Sequence, residues 1–107
     1  MKVLMYAGGE YLTGDEIALA LLEYSESLAE VGEAATVEIP IVGKGGKLVH
    51  ATFLIGPSSQ IVATDFETDD EELVDSVVVD ELRLLTRRLR PVGFPAEQED
   101  VYIDEYE

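Results

Sequence analysis

The chain has 107 residues, a length that suits one domain and leaves no room for two ordinary cores. It is 47% hydrophobic, so a packed core is attainable in spite of a formal net charge of -16, which comes from 7 Lys and Arg against 23 Asp and Glu. So dense a negative field argues against direct binding of nucleic acid or an anionic membrane, and the absence of cysteine rules out a disulfide framework, a thiolate metal site and a cysteine nucleophile.

The amino terminus runs Met1-Lys2-Val3-Leu4-Met5-Tyr6 and then meets Gly8-Gly9. That is too short for the apolar region of a signal peptide, and no apolar run reaches membrane-spanning length, so a cytoplasmic location is expected. Weak alternation around Ala7-Gly8-Gly9 predicts strands over 2–6 and 10–12, with the Gly pair supplying the positive φ angles of a tight hairpin. Thr13-Gly14-Asp15-Glu16 then fits the S/T-x-x-E capping box and predicts a helix starting at Thr13. Ile17, Leu21, Tyr24, Leu28 and Val31 recur at steps of four and three, so they line one stripe, with Glu16, Glu23, Glu26 and Glu30 facing water. Gly32 is placed to end the helix as its C′ residue.

Residues 35–42 alternate as a strand, with Val37, Ile39 and Ile41 on one face and Thr36, Glu38, Pro40 and Val42 on the other. Pro40 has no N–H to donate, which predicts an edge strand or a bulge. Gly43-Lys44-Gly45-Gly46-Lys47 is a turn, and residues 48–55 return antiparallel. Gly56-Pro57-Ser58-Ser59 is a further turn, after which residues 61–66 are expected to extend the sheet as a third meander strand. Thr68-Asp69-Asp70-Glu71 fits a second capping box. It predicts a helix whose apolar stripe is Val74, Val78, Leu82, Leu85 and Leu89, with Leu73 and Val77 beside it, stopped by Pro91. The expected fold class is therefore α+β: an antiparallel sheet of four to five strands packed with two helices in the order ββαβββα. Residues 1–91 form the single domain, and 92–107 form an acidic linker and tail.

Charge is unevenly spread. Residues 1–34 carry 1 base and 7 acids, 35–66 carry 2 and 2, 67–90 carry 4 and 8, and 91–107 carry 0 and 6, so the predicted sheet over 35–66 is neutral and the helices and tail hold the excess. Helix capping and the dipole account for part of it, since acids crowd the second helix's first turn and Arg83, Arg87, Arg88 and Arg90 its end.

No compact enzyme signature is present. Gly43–Lys47 lacks the glycine spacing and the following helix of a phosphate loop, and reads as a hairpin turn. His50 is the one histidine, and neither a zinc site nor a catalytic triad can be assembled around it from visible partners. Thr68–Glu72 is rich in carboxylates suited to a hard cation, but it lacks the calcium-loop spacing and is better explained by capping. No catalytic residue, metal ligand or cofactor is therefore assigned.

Two features stand out. On the second sheet face Val42, Leu48 and Leu54, with Val62, lie among Thr36, Glu38, His50 and Thr52. Val42, Leu48, His50 and Leu54 form a candidate dimer face, the alternative being that a helix crosses it. In the tail, Tyr102, Ile103 and Tyr106 lie beside Asp104 and Glu105, a pattern suited to docking on a basic groove, the alternative being a solubilising tail. The expected function is a non-catalytic acidic protein-binding module, an inhibitor, immunity-type protein or adaptor engaging a basic protein surface. The alternative is a structural or assembly protein that forms a homodimer through one sheet face.

Overall fold

In a computed structural model of the chain, which describes residues 1–89, the first hairpin turns on Ala7 and Gly8, with φ of 52° and 84°. Two consecutive positive φ angles match the twist of the flanking strands, β1 (Lys2–Tyr6) and β2 (Gly9–Thr13), which pair from Lys2↔Thr13 to Tyr6↔Gly9. The turn therefore uses Ala7-Gly8, one residue earlier than the Gly pair suggested, and Gly9 joins the strand.

The helix that follows, α1 (Asp15–Val31), begins without the expected capping box. Its N-cap is Gly14, with no side-chain cap bond. Thr13 closes β2 instead, fully buried, and its hydroxyl donates to the Pro40 carbonyl at 2.8 Å. A threonine committed to the sheet cannot also fold back over the helix N-terminus. The task passes to Glu72, whose carboxylate accepts from the Asp15 N–H at 2.6 Å. At the other end Gly32 has φ of 70°, and the Glu33 N–H donates to the Leu28 carbonyl, the expected left-handed cap. Ile17, Leu21, Tyr24 and Leu28 are buried as the spacing predicted, joined by Ala18, Ala20 and Ser27, while Val31 is exposed.

Strand β3 (Ala35–Val42) and β4 (Leu48–Ile55) form a hairpin across a 3₁₀ turn at Lys44–Gly46, with uninterrupted register from Ala35↔Ile55 to Val42↔Leu48. Pro40 lies in neither an edge strand nor a bulge. β3 is interior to the sheet, but it meets β2 at a single pair, Leu12↔Val42, so the side of Pro40 that lacks a donor faces a gap in the ladder.

Strand β5 (Ile61–Asp65) does not extend the meander beside β4. It pairs with β1, from Lys2↔Asp65 to Tyr6↔Ile61, which gives the sheet order β4-β3-β2-β1-β5. The turn before β5 directs this. The Ser59 N–H donates to the Gly56 carbonyl, Ser59 Oγ accepts from the Gly56 N–H, and the same hydroxyl lies 3.0 Å from the Tyr6 hydroxyl, which donates to the Leu54 carbonyl. These bonds tie the Leu54 end of β4 to the Tyr6 end of β1, two strands that would be far apart in a flat sheet of this order, so the sheet is curved, while β4 and β5 remain, among the described residues, its unpaired margins.

Residues 67–75 are not helical. The second helix, α2, spans Ser76–Arg88, and its N-cap is Asp75, which accepts from the Val78 N–H at 3.2 Å. Thr68 does not cap it; its hydroxyl accepts from the Asp70 N–H. Glu72 also binds the Met1 ammonium at 3.0 Å, and Leu73 is buried beside Gly14, so tertiary contacts at residues 72–73 hold this segment out of the helix. The later start rotates the buried stripe to Val79, Leu82 and Thr86, with Val78, Leu85 and Leu89 half-buried and Val74 and Val77 exposed.

The fold is thus an antiparallel five-stranded sheet with two helices, in the order ββαβββα. The core lies between the rolled sheet and α1, centred on Leu4, Ile17, Leu21, Leu28, Ile39 and Ile55, each almost fully buried. Phe53 joins it, edge-on to Tyr11 at 5.1 Å between ring centres.

Candidate interaction surfaces

Side chains of a strand alternate between faces, and in β3 and β4 the odd-numbered residues Val37, Ile39, Phe53 and Ile55 are buried, with Pro40 the one buried residue of the even-numbered face. The even-numbered face pairs Thr36 with Leu54, Glu38 with Thr52, Pro40 with His50 and Val42 with Leu48. Leu48 and Leu54 are 65% and 64% exposed, His50 and Thr52 are exposed, and Val42 is half-buried. Among the described residues no helix crosses this face. It is not one apolar patch, however, because Leu48 and Leu54 stand at opposite ends of β4, about 20 Å apart at strand rise. Val62 does not belong to it. It pairs with Met5 at the far side of the sheet order.

The same hairpin has a second consequence, in its backbone. The Gly43 N–H donates to the Lys47 carbonyl, which makes Gly43↔Lys47 a hydrogen-bonded pair. Antiparallel pairs alternate, so Val49, Ala51, Phe53 and Ile55 direct their N–H and C=O groups at β3, and Leu48, His50, Thr52 and Leu54 direct theirs away from it. Among the described residues β4 is an end strand, so these outward groups form a free edge except at the Leu54 carbonyl. Two independent bonds agree with the parity: the even-numbered Pro40 carbonyl is reached by Thr13 of β2, and the even-numbered Leu54 carbonyl by Tyr6.

The third surface is the outer stripe of α1. Glu16, Leu19, Glu23, Glu26 and Glu30 follow at steps of three and four along about 21 Å of helix, and Glu33 lies just beyond the end. All are exposed, Leu19 by 47%. α1 contains no Lys or Arg, and none of these carboxylates forms an ion pair among the described residues. Glu26 and Glu30 lie near the negative end of the helix dipole, where acids are unfavourable. With the Thr13 capping box not formed, Glu16 is not spent on capping as the sequence suggested, and the stripe faces water along its length as expected.

Glu72 and Asp15 do have a structural role. Both lie 3.0 Å from the Met1 ammonium, whose pKa is raised above its ordinary value by the hydrogen bond to Glu72 first and to Asp15 second. Beside this cluster an open hollow of about 630 Å³ is lined by Met1, Phe66, Thr68, Asp70 and Glu72 among others. Next along the chain, Lys2 pairs with Asp65 on the surface, which raises the lysine pKa and lowers the carboxyl pKa.

His50 faces Pro40 across the ladder, with Glu38 diagonal to it on the same face, and among the described residues it makes no hydrogen bond or ion pair with a carboxylate or serine: Ser59 is tied to Gly56 and Tyr6. Among the described residues no three His, Asp or Glu side chains are grouped to hold a metal ion, and no helix is long and apolar enough to cross a membrane. Tyr102, Ile103, Asp104, Glu105 and Tyr106 lie outside the described residues. The sequence reading missed the free β4 edge and the Met1–Asp15–Glu72 cluster. The alternation of the 35–55 hairpin contained the signal for the first; nothing local signalled the second. Set against known protein families, curated proteins and solved structures, the chain matches none.

Proposed function

We propose that this protein is a non-catalytic binding module, of inhibitor, immunity or adaptor type, that engages a basic protein surface through the outer stripe of α1. The supporting observation is that Glu16, Glu23, Glu26 and Glu30 are exposed along one line and, among the described residues, have no cap or ion pair to satisfy. Leu19 in the middle of the stripe offers an apolar contact, and a field of this sign accelerates association with a cationic partner in a salt-sensitive way. The six acids of residues 97–107 would add to the same field. The test is retention of basic proteins from source lysate by the wild type and by a variant with all four glutamates changed to Gln. The reading requires a partner held at low salt, released at high salt and lost by the variant; retention indifferent to both salt and the four substitutions rejects it.

A second reading is favoured by a different observation, the uncovered even-numbered face of β3 and β4 with Leu48 and Leu54 strongly exposed. It is an assembly role in which two copies associate through this hairpin, with the charge serving solubility. Sedimentation across a concentration series tests it, and a monomer throughout rejects it.

A further inference from the structure

We infer that the free edge of β4 is the contact between two copies of this chain, which pair antiparallel about a two-fold axis at His50 and continue one sheet across the dimer. The inference rests on the assembly reading above and replaces packing through a face with pairing along an edge.

An unguarded edge is the first argument. Exposed edge strands are normally blunted by charges, proline or a bulge. Leu48–Ile55 contains no Asp, Glu, Lys, Arg or proline, and its register with β3 is unbroken. In a chain of net charge -16, an eight-residue strand with a histidine as its one titratable group is where two copies can meet with least repulsion.

Register follows from the backbone. A ladder forms only where outward-facing residues oppose one another, so an even-numbered residue must face an even-numbered one. Tyr6 already occupies the Leu54 carbonyl, which leaves Leu48, His50 and Thr52. The alignment that uses all three sets His50 against His50 of the second copy and Leu48 against its Thr52, giving about six interchain backbone bonds, two for each opposed pair.

Charge complementarity is the second argument. Lys44 and Lys47 stand at one end of β4, and at the other end Gly56 packs against Ala34, where a Cβ on the glycine would lie 3.3 Å from the alanine's; Ala34 adjoins Glu33. Antiparallel pairing brings the lysine end of each copy to the glutamate end of the other, twice by symmetry.

The test uses the full chain, whose lack of cysteine makes single-cysteine variants unambiguous. Under mild oxidation His50→Cys should give a disulfide-linked dimer, because opposed residues across an antiparallel ladder lie within disulfide reach, while Leu54→Cys should not. Thr52→Pro removes an outward N–H and no bond to β3. It should weaken dimerisation roughly ten- to a hundredfold by sedimentation, the effect of losing two backbone bonds, with an unchanged far-ultraviolet spectrum. Hydrogen exchange at the His50 and Thr52 amides, slowed as concentration rises, checks the edge without any substitution. A wild-type monomer overturns both this inference and the assembly reading, including a monomer whose β4 amides are protected by another part of the chain. A dimer that crosslinks at residue 54 and not at 50, or that is unaffected by Thr52→Pro, overturns the edge pairing and leaves the face contact standing.

Discussion

Gly14 is the position at which a single methyl group tests how the two halves of this fold are joined. Its φ of -75° and ψ of 158° are open to any residue, so the glycine is not needed for its backbone conformation. It is needed for space. A Cβ there would overlap the Leu73 carbonyl oxygen and lie 3.0 Å from the Leu73 carbonyl carbon, and both are main-chain atoms that cannot turn aside. In Gly14→Ala the 72–75 segment must withdraw. That exposes Leu73, now 9% accessible, and pulls Glu72 from the Asp15 N–H and the Met1 ammonium. Losing the burial of a leucine side chain costs about 1.5–3 kcal/mol, and alanine is the poorer N-cap by some tenths, so a loss of about 2–4 kcal/mol is expected. In urea this lowers the midpoint by roughly 1–3 M for a domain of this size. Gly32→Ala is the comparison: its φ of 70° makes alanine strained, but nothing lies within 4 Å of the added Cβ, so the cost should be about 1 kcal/mol. If Gly14→Ala proves no more destabilising than Gly32→Ala, the close approach of residue 73 to the start of α1 is wrong.

Three further outcomes are expected. Thr13→Val should cost about 1–3 kcal/mol by leaving the buried Pro40 carbonyl without its donor, whereas Glu16→Ala should change stability by less than about 0.5 kcal/mol; the reverse order in denaturant titrations would restore the capping box. Ala7→Gly should raise stability by about 0.5–1 kcal/mol by relieving a positive φ, and a lower urea midpoint would contradict the turn. The Met1 ammonium has its folded pKa raised above 8.0 by Glu72 and Asp15, so its contribution is fully present below pH 8 and is lost as pH rises through the raised value. Wild-type stability should therefore fall more steeply on the alkaline side than that of Glu72→Gln, and parallel pH profiles would remove the pair.

Alternation and periodicity determined by themselves that this chain makes two helices and four to five strands in the order ββαβββα, which faces of β3 and β4 are apolar, and that α1 ends at Gly32, because each depends on residues adjacent along the chain. Both helix starts were misread for one reason. Thr13 and Thr68 sit in good local capping sequences, but Thr13 is claimed by the Pro40 carbonyl and residues 72–73 are held by Met1 and Gly14, partners far away in sequence. Local propensity yields where a tertiary contact satisfies the same groups better. The place of β5 is likewise a tertiary decision. Its apolar residues suit either sheet edge, and the Ser59–Tyr6–Leu54 hydrogen bonds give it to β1. For the surfaces the division is the same. The acids of α1 and the neutrality of β4 are legible in the sequence. That, among the described residues, the former are uncommitted and the latter's edge is open follows only from where the other strands and caps are placed.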